Sequence, residues 1–258
     1  MAHEFDGNKY ATASTHQKEW GAKLISGLHL KGNEHILDLG CGDGALTAQL
    51  ADFIPQGKVI GIDSSQGMIE AALKHQKSNL SFAVKDINFL EYIDQFDVVF
   101  SNATLHWVKD HRLLLNNVFR SMKRGGIIRF NFAAEGNCIH FYKIIKRVMH
   151  LPNYETFFKG FVWPWYMPSI LKYQALVNEF PFSEVKVWDE NADRFFPNAE
   201  AMSKWIDQPS IVPFLECVEE SKKQTFRNTV VDLMIKETLQ PDGTCFETFR
   251  RINVLARK

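Results

Sequence analysis

Charge of one sign is what this chain most clearly lacks: 30 Lys and Arg stand against 30 Asp and Glu, and the pI is about 7.1. A nucleic-acid-binding domain usually shows a basic excess or stripe. None is visible, so no nucleic-acid partner is expected. Cysteine is scarce, with four residues. Cys41, Cys138, Cys217 and Cys245 stand far apart, with no C-x-x-C pair and no Cys/His cluster of ligand spacing. Free thiols in a reducing compartment and no metal are the expectation. No apolar run reaches the ~18 residues needed to cross a bilayer. The first residues carry no signal-peptide pattern, so a cytoplasmic protein is expected. Internal repeats, low-complexity tracts and linkers are also missing. A chain of 258 residues then reads as one domain, residues 1–258, with an elaboration.

What is present is organised around residues 35–47, HILDLGCGDGALT. A short apolar run broken by Asp38 leads to Gly40, Gly42 and Gly44. An amphipathic helical pattern follows, with Leu46, Leu50, Phe53 and Ile54 on one face. Strand, glycine turn and helix make a nucleotide-binding unit: glycines allow a tight bend and close ligand approach. The helix start offers unpaired N–H groups and a positive dipole end. The spacing alone is ambiguous, since Gly40, Gly42 and Ala45 also fit the dinucleotide pattern G-x-G-x-x-G/A. Two acids sharpen it. Asp63 follows the apolar run 58–62, and Asp86 follows the run 80–84. Both fall at the carboxyl ends of expected strands, where open parallel sheets bind ligands.

On these residues the chain resembles the class I S-adenosylmethionine-dependent methyltransferases, whose motif E/D-x-G-x-G-x-G is matched from Asp38 to Gly44. Residues 95–108, QFDVVFSNATLHWV, resemble the subgroup of trans-aconitate, biotin-pathway malonyl-carrier and juvenile hormone acid methyltransferases, and the C-terminal segments AMSKWI, IVPFLE and FRRINVLARK look most like the trans-aconitate type. The resemblance implies an α/β fold, Rossmann-like, with a seven-stranded mostly parallel sheet ordered 3-2-1-4-5-7-6 and helices on both faces. It implies S-adenosylmethionine as cofactor, with Asp63 on the ribose, Asp86 at the adenine amino group and the turn at Asp38, Gly40, Cys41 and Gly42 on the methionine part. It also implies that the N-terminal segment folds over the cofactor, with Tyr10 against it.

Further candidates follow along the chain. Ser64 and Ser65 can cap the helix after Asp63. Met68, near its start, either lies under an adenine ring or packs in the core. Ile87 could offer backbone groups to adenine. Asn102 and Ala103 end the fourth strand. His106 is either a general base or a hydrogen-bond donor that positions an acid, and Trp107 is a pocket wall. A helix from Asp110 is expected to bury Leu114, Val118, Phe119 and Met122 and to stop at Gly125-Gly126. Arg129 and Asn131 share one side of the fifth strand. Asn131 is an acceptor-site candidate or a buried hydrogen bond that fixes a loop. Of 21 Phe, most fall in the second half. Residues 137–175, with Trp163 and Tyr166, are expected to form an aromatic lid, and the helical stretch 198–240 to complete a cap over the acceptor. Residues 245–256 read as one long last strand.

The expected reaction is methyl transfer to a carboxylate of a small-molecule or acyl-carrier acid by a monomer or homodimer. A carboxylate is already ionised at neutral pH, so alignment and exclusion of water would suffice. Arg194, Arg129 and Arg147 are available as anchors. Methylation of nitrogen or carbon, an NAD(P)-dependent oxidoreductase and a non-catalytic binding module are the alternatives.

Overall fold

The computed structural model describes residues 15–258. Tyr10 therefore lies outside the described residues. In chain order the elements are α1 (Thr15–Ser26), β1 (His35–Leu39), α2 (Ala45–Phe53), β2 (Lys58–Asp63), α3 (Gln66–Ala72), β3 (Leu80–Val84), β4 (Phe96–Asn102), α4 (His111–Ser121) and β5 (Met122–Ala133). They continue with α5 (Ile139–Met149), α6 (Ile170–Val177), β6 (Ser183–Asn191), β7 (Arg194–Phe196), α7 (Ala199–Trp205), α8 (Val212–Leu215), α9 (Glu220–Thr238), β8 (Cys245–Glu247) and β9 (Arg250–Arg257). The chain groups into two compact units. One takes residues up to Glu135, Trp165–Glu190 and Arg251–Lys258; the other takes Gly136–Pro164 and Asn191–Arg250.

The first unit is built on a seven-stranded sheet ordered β3-β2-β1-β4-β5-β9-β6. Strands β1 to β5 pair in parallel and β9 runs antiparallel to β5. This is the expected fold, α/β with a mostly parallel Rossmann-like sheet. Side chains alternate across it. Ile36, Val59, Val98 and Phe100 face α1 and α2 through Leu24, Ile25, Leu50 and Ala51. Leu37, Leu39, Val99 and Phe130 face α4 and α6 through Leu114, Val118, Tyr173 and Val177. Both faces are covered, which is why the parallel strands read as nearly continuous apolar runs.

Two boundaries and one buried face differ from the sequence reading. Helix α4 ends at Ser121, and Met122 opens β5 opposite Phe96. The register then shifts, so Gly125 and Gly126 lie inside a strand. Gly125 takes φ 79°, and a Cβ on Gly126 would meet two carbonyl oxygens at 2.9 and 3.0 Å. The glycine pair serves a strand irregularity, not a helix stop. Phe53 is 59% exposed, because the buried face of α2 is Thr47, Leu50 and Ala51. The last strand is two: β8 pairs with β7 in a separate small sheet, and β9 joins the large one.

In the second unit, α5 starts without a side-chain cap of its own, at Cys138 with φ 53°. The fully buried carboxylate of Glu247 serves instead. It accepts from the backbone N–H groups of His140 (3.3 Å) and Phe141 (2.9 Å), and Oε1 lies 2.9 Å from His140 Nδ1. A carboxylate at these orphan donors satisfies both hydrogen bonding and the helix dipole. Aromatic rings fill this unit: Phe161, Trp163 and Phe214 pack mutually at 5.2 to 5.7 Å. Among the described residues no helix is long and apolar enough to cross a membrane.

Candidate functional site

The bend after β1 is held from beneath. Asp38 is buried, and Thr47 Oγ1 donates to its Oδ2 at 2.7 Å. Burial raises the Asp38 carboxyl to about 7; the Thr47 bond opposes this and the charge of Asp63 adds to it. Gly40, Gly42 and Gly44 take φ of 72°, 54° and 78°. The amides of Gly40 and Cys41 both donate to Ile62 O, at 2.8 and 3.0 Å, which ties the bend to β2. Burial, with the charges of Asp38 and Asp63, pushes the Cys41 thiol well above its ordinary range, so it stays protonated. Gly40 and Gly42 remain half-buried.

The two downstream acids stand at neighbouring strand ends. Asp63 pairs in register with Val84, and Asp86 lies two residues further on. Asp63 Oδ2 accepts from Gly42 N (3.1 Å) and its Oδ1 from Ser65 N (3.0 Å). Ser65, not the exposed Ser64, caps α3 by accepting from Met68 N. Met68 is buried in the first turn of that helix. Asp86 Oδ1 accepts from both Asn88 nitrogens at 2.8 Å, capping the short turn Ile87–Phe89 in which Ile87 is buried.

The end of β4 closes over the bend. Asn102 is buried, and Ala103 sits at φ 58°, a sparsely populated conformation for a residue with a Cβ. Ala103 N donates to Asn131 O at 2.7 Å, and Thr104 Oγ1 donates to Gly40 O at 3.0 Å. His106 follows on a short turn. Its Nδ1 is buried with no hydrogen-bond partner among the described residues. Burial, then the charges of Arg251 and His111, hold His106 well below the usual histidine range. Trp107 packs edge-on to Trp165 at 5.6 Å, and Tyr166 N donates to His106 O at 2.7 Å.

Two features were missed in the sequence. His111 is a buried staple: Leu105 O can only accept, so Nε2 donates to it (2.9 Å) and Nδ1 accepts from Tyr173 Oη (3.0 Å). Burial drives this imidazole down to about 4. Arg251, on β9, is 3% exposed. Its Nε donates to Asn131 Oδ1 at 2.8 Å, and its guanidinium lies 4.5 Å from the centre of the Trp20 ring. Asn131 Nδ2 in turn donates to Asn253 Oδ1, which also accepts from Arg129. Asn253 reaches Glu190, the partner of Lys23. The alternation Arg129/Asn131 on β5 and Arg251/Asn253 on β9 was the available signal.

The structure thus brings Asp38, Gly40, Cys41, Gly42, Asp63, Asp86, Asn102, Ala103, His106, Trp107, Asn131 and Tyr166 into one unit, toward the carboxyl ends of its parallel strands. Trp163 belongs to the other unit, where it stacks on Tyr142 at 5.2 Å. Arg194 also lies there, in β7, and Arg147 is exposed on α5.

A glycine bend under a parallel sheet's first strand, flanked by acids at the next two strand ends, defines a nucleotide-type cofactor site. The family model described as a methyltransferase domain matches residues 30–161. Among curated relatives, trans-aconitate 2-methyltransferase of Deinococcus radiodurans is 30% identical over 200 residues, covering 74% of each chain. Its namesake from Escherichia coli K12 is 24% identical over 257 residues, covering 99% of this chain and 98% of the relative. Similar folds occur in the YcgJ protein of Bacillus subtilis (TM-score 0.64, 16% identity, 93% of this chain and 98% of that one). They also occur in phosphoethanolamine N-methyltransferase 2 of Haemonchus contortus, solved with S-adenosyl-L-methionine (TM-score 0.61, 18% identity, 98% of this chain and 56% of that one). The chain belongs to the class I S-adenosylmethionine-dependent methyltransferases. Within them its likeness is to the trans-aconitate methyltransferase subgroup.

The residues present fit that cofactor. The bend exposes bare backbone at positive φ, and carboxylates capable of accepting from ribose and adenine stand beside it.

Proposed function

We propose that this methyltransferase O-methylates a carboxylate of a small or carrier-bound acid. The observation that carries the reading is the state of His106. It is the ionisable side chain on the turn after β4, and it is held neutral with a depressed pKa. So weak a base is ill suited to deprotonating an alcohol or amine. It suits an acceptor that arrives already ionised, with His106 as a hydrogen-bonding, positioning group. The trans-aconitate activity named for the relatives supports the same class.

In this reading Asp63 holds the ribose and Asp86 with Ile87 the adenine, over Ser64 and Met68. The bend at Asp38, Gly40, Cys41 and Gly42, with Asn102 and Ala103, holds the methionine part. His106, Trp107 and Tyr166 face the acceptor, and Asn131 stands behind them with its side chain bonded to Arg251 and Asn253. When bound, S-adenosylmethionine supplies a methyl group on a positively charged sulfur, a good leaving group. Transfer to a carboxylate oxygen would form the C–O bond as the C–S bond breaks, leave the bonding pair on a neutral sulfur and release no proton, so no base would be asked of these residues. The protein's share is alignment and exclusion of water, and alignment alone is worth on the order of 7–11 kcal/mol.

Labelled S-adenosylmethionine with a panel of di- and tricarboxylates, fatty acids and malonyl carriers tests this. A labelled methyl ester is the expected product. Transfer only to an amine or a carbon defeats the carboxylate reading and leaves the family intact.

A further inference from the structure

Three of the contacts above converge on one corner. Asn131 receives Ala103 N on its backbone carbonyl and Arg251 Nε on its side-chain oxygen. In the sheet Asn131 stands between Asn102 on β4 and Asn253 on β9. Arg251, opposite Ala133, is therefore placed just beyond Asn131 toward the carboxyl edge of the parallel strands, the edge that carries the β4 turn. The Trp20 ring under the guanidinium and the Asn131 amide fix its orientation. The charge is permanent, since arginine does not deprotonate in proteins. Its field reaches His106. His106 Nδ1, buried without a partner among the described residues, is a polar atom that still needs one.

We propose that Arg251 and His106 form an anion-holding corner that grips a carboxylate of the acceptor other than the one being methylated. This rests on the carboxylate reading given above and adds the residue that selects the substrate. A guanidinium clamped on the reacting oxygen would draw off the electron pair that must attack. The gripped group is therefore a spectator, and the enzyme selects acids with at least two carboxylates over monocarboxylates. Arg251 acts by charge and fork geometry, and His106 by one hydrogen bond from a neutral ring. Asn131 is a positioning residue that aims the guanidinium.

The test is calorimetric binding of trans-aconitate and of hexanoate to the full chain saturated with S-adenosylhomocysteine, with methyl-ester formation measured in parallel. Wild type is expected to bind trans-aconitate and to discriminate against hexanoate. Arg251→Gln is expected to weaken trans-aconitate at least about tenfold. Its affinity for S-adenosylhomocysteine should stay within about twofold, and its hexanoate binding should be unchanged. The NMR titration of the His106 ring should also move upward in Arg251→Gln, since the Arg251 charge is one of the causes that hold it down. Arg251→Lys and His106→Gln, milder changes, are each expected to cost about three- to tenfold in trans-aconitate affinity. They carry the test if Arg251→Gln does not fold. Unchanged trans-aconitate affinity in these variants, or an equal loss of S-adenosylhomocysteine affinity, overturns the assignment of Arg251 while wild-type ester formation still upholds the carboxylate reading. A wild type that neither binds nor esterifies any acid overturns both.

Discussion

The methyl group of Thr104 occupies the space that a side chain on Gly40 would need: a Cβ there would come within 2.1 Å of Thr104 Cγ2. Thr104 Oγ1 meanwhile donates to the Gly40 carbonyl at 3.0 Å. The turn after β4 is thus bolted onto the bend after β1, and Gly40 is fixed twice over, by φ 72° and by this neighbour.

Gly40→Ala should therefore cost both folding stability and cofactor binding. The left-handed conformation alone is worth about 1–2 kcal/mol against alanine, and the Thr104 overlap adds to it. Denaturant melts should show at least about 2 kcal/mol lost. Adding Thr104→Ser, which removes the clashing methyl, should recover part of it. No recovery would show that the two residues do not share the space.

Asp63→Ala should abolish measurable S-adenosylmethionine binding. The substitution removes the acceptor for Gly42 N and for Ser65 N as well as a carboxylate at the β2 end. Each lost charged acceptor is worth about 1.5–3 kcal/mol. Calorimetry with unchanged affinity would remove Asp63 from the site.

Asp38 and His111 should tilt stability in opposite directions with pH. The folded chain keeps a proton on Asp38 up to about 7 where the ordinary carboxyl loses it near 3.8, so this group's contribution falls as pH rises across that window. His111 titrates at about 4 when folded against 6.5 ordinarily, so its contribution is lost as pH falls from 6.5 toward 4. Each slope is about 1.4 kcal/mol per pH unit, and over the shared window they largely cancel. Relative to wild type, Asp38→Asn should gain stability as pH rises through that window. His111→Phe should show the reverse trend. Parallel curves for all three proteins would refute both burial effects. A cationic cofactor seated on this bend would favour ionised Asp38, so its affinity should also weaken as pH falls below 7 in wild type, and not in Asp38→Asn.

Glu247→Ala should destabilise the second unit by about 3 kcal/mol, since it strips the start of α5 of its acceptor and leaves buried N–H groups unmet. Glu247→Gln, which keeps an oxygen, should cost less. Urea unfolding followed by tryptophan emission would measure the difference.

Much of this molecule was legible in its letters. The glycine bend and the acids after β2 and β3 follow from local chemistry: turn residues, apolar runs and their spacing; the seven-stranded order came with the family resemblance that those residues carry. What was not legible depends on distant neighbours. Met122 belongs to a strand because Phe96 waits opposite it, and no helical periodicity reveals that. Residues 245–256 look like one strand because the change of sheet happens at Thr248 and Phe249, neither a turn-former. His111 reads as an ordinary first helical residue until Tyr173, 62 positions away, supplies its proton. Arg251 resembles any strand arginine on paper; only the pairing of β9 with β5 sets it beside Asn131 and Trp20.

The place of β9 between β5 and β6 has a consequence for biosynthesis. β6 leaves the ribosome well before the strand that will separate it from β5. Until β9 arrives, both strands present raw edges with unpaired amides, a template for mispairing with other chains. The parallel core can consolidate on β1 to β5 first, and insertion of β9 then becomes the step most open to rescue by a chaperone and most sensitive to crowding by unfinished copies of the same protein.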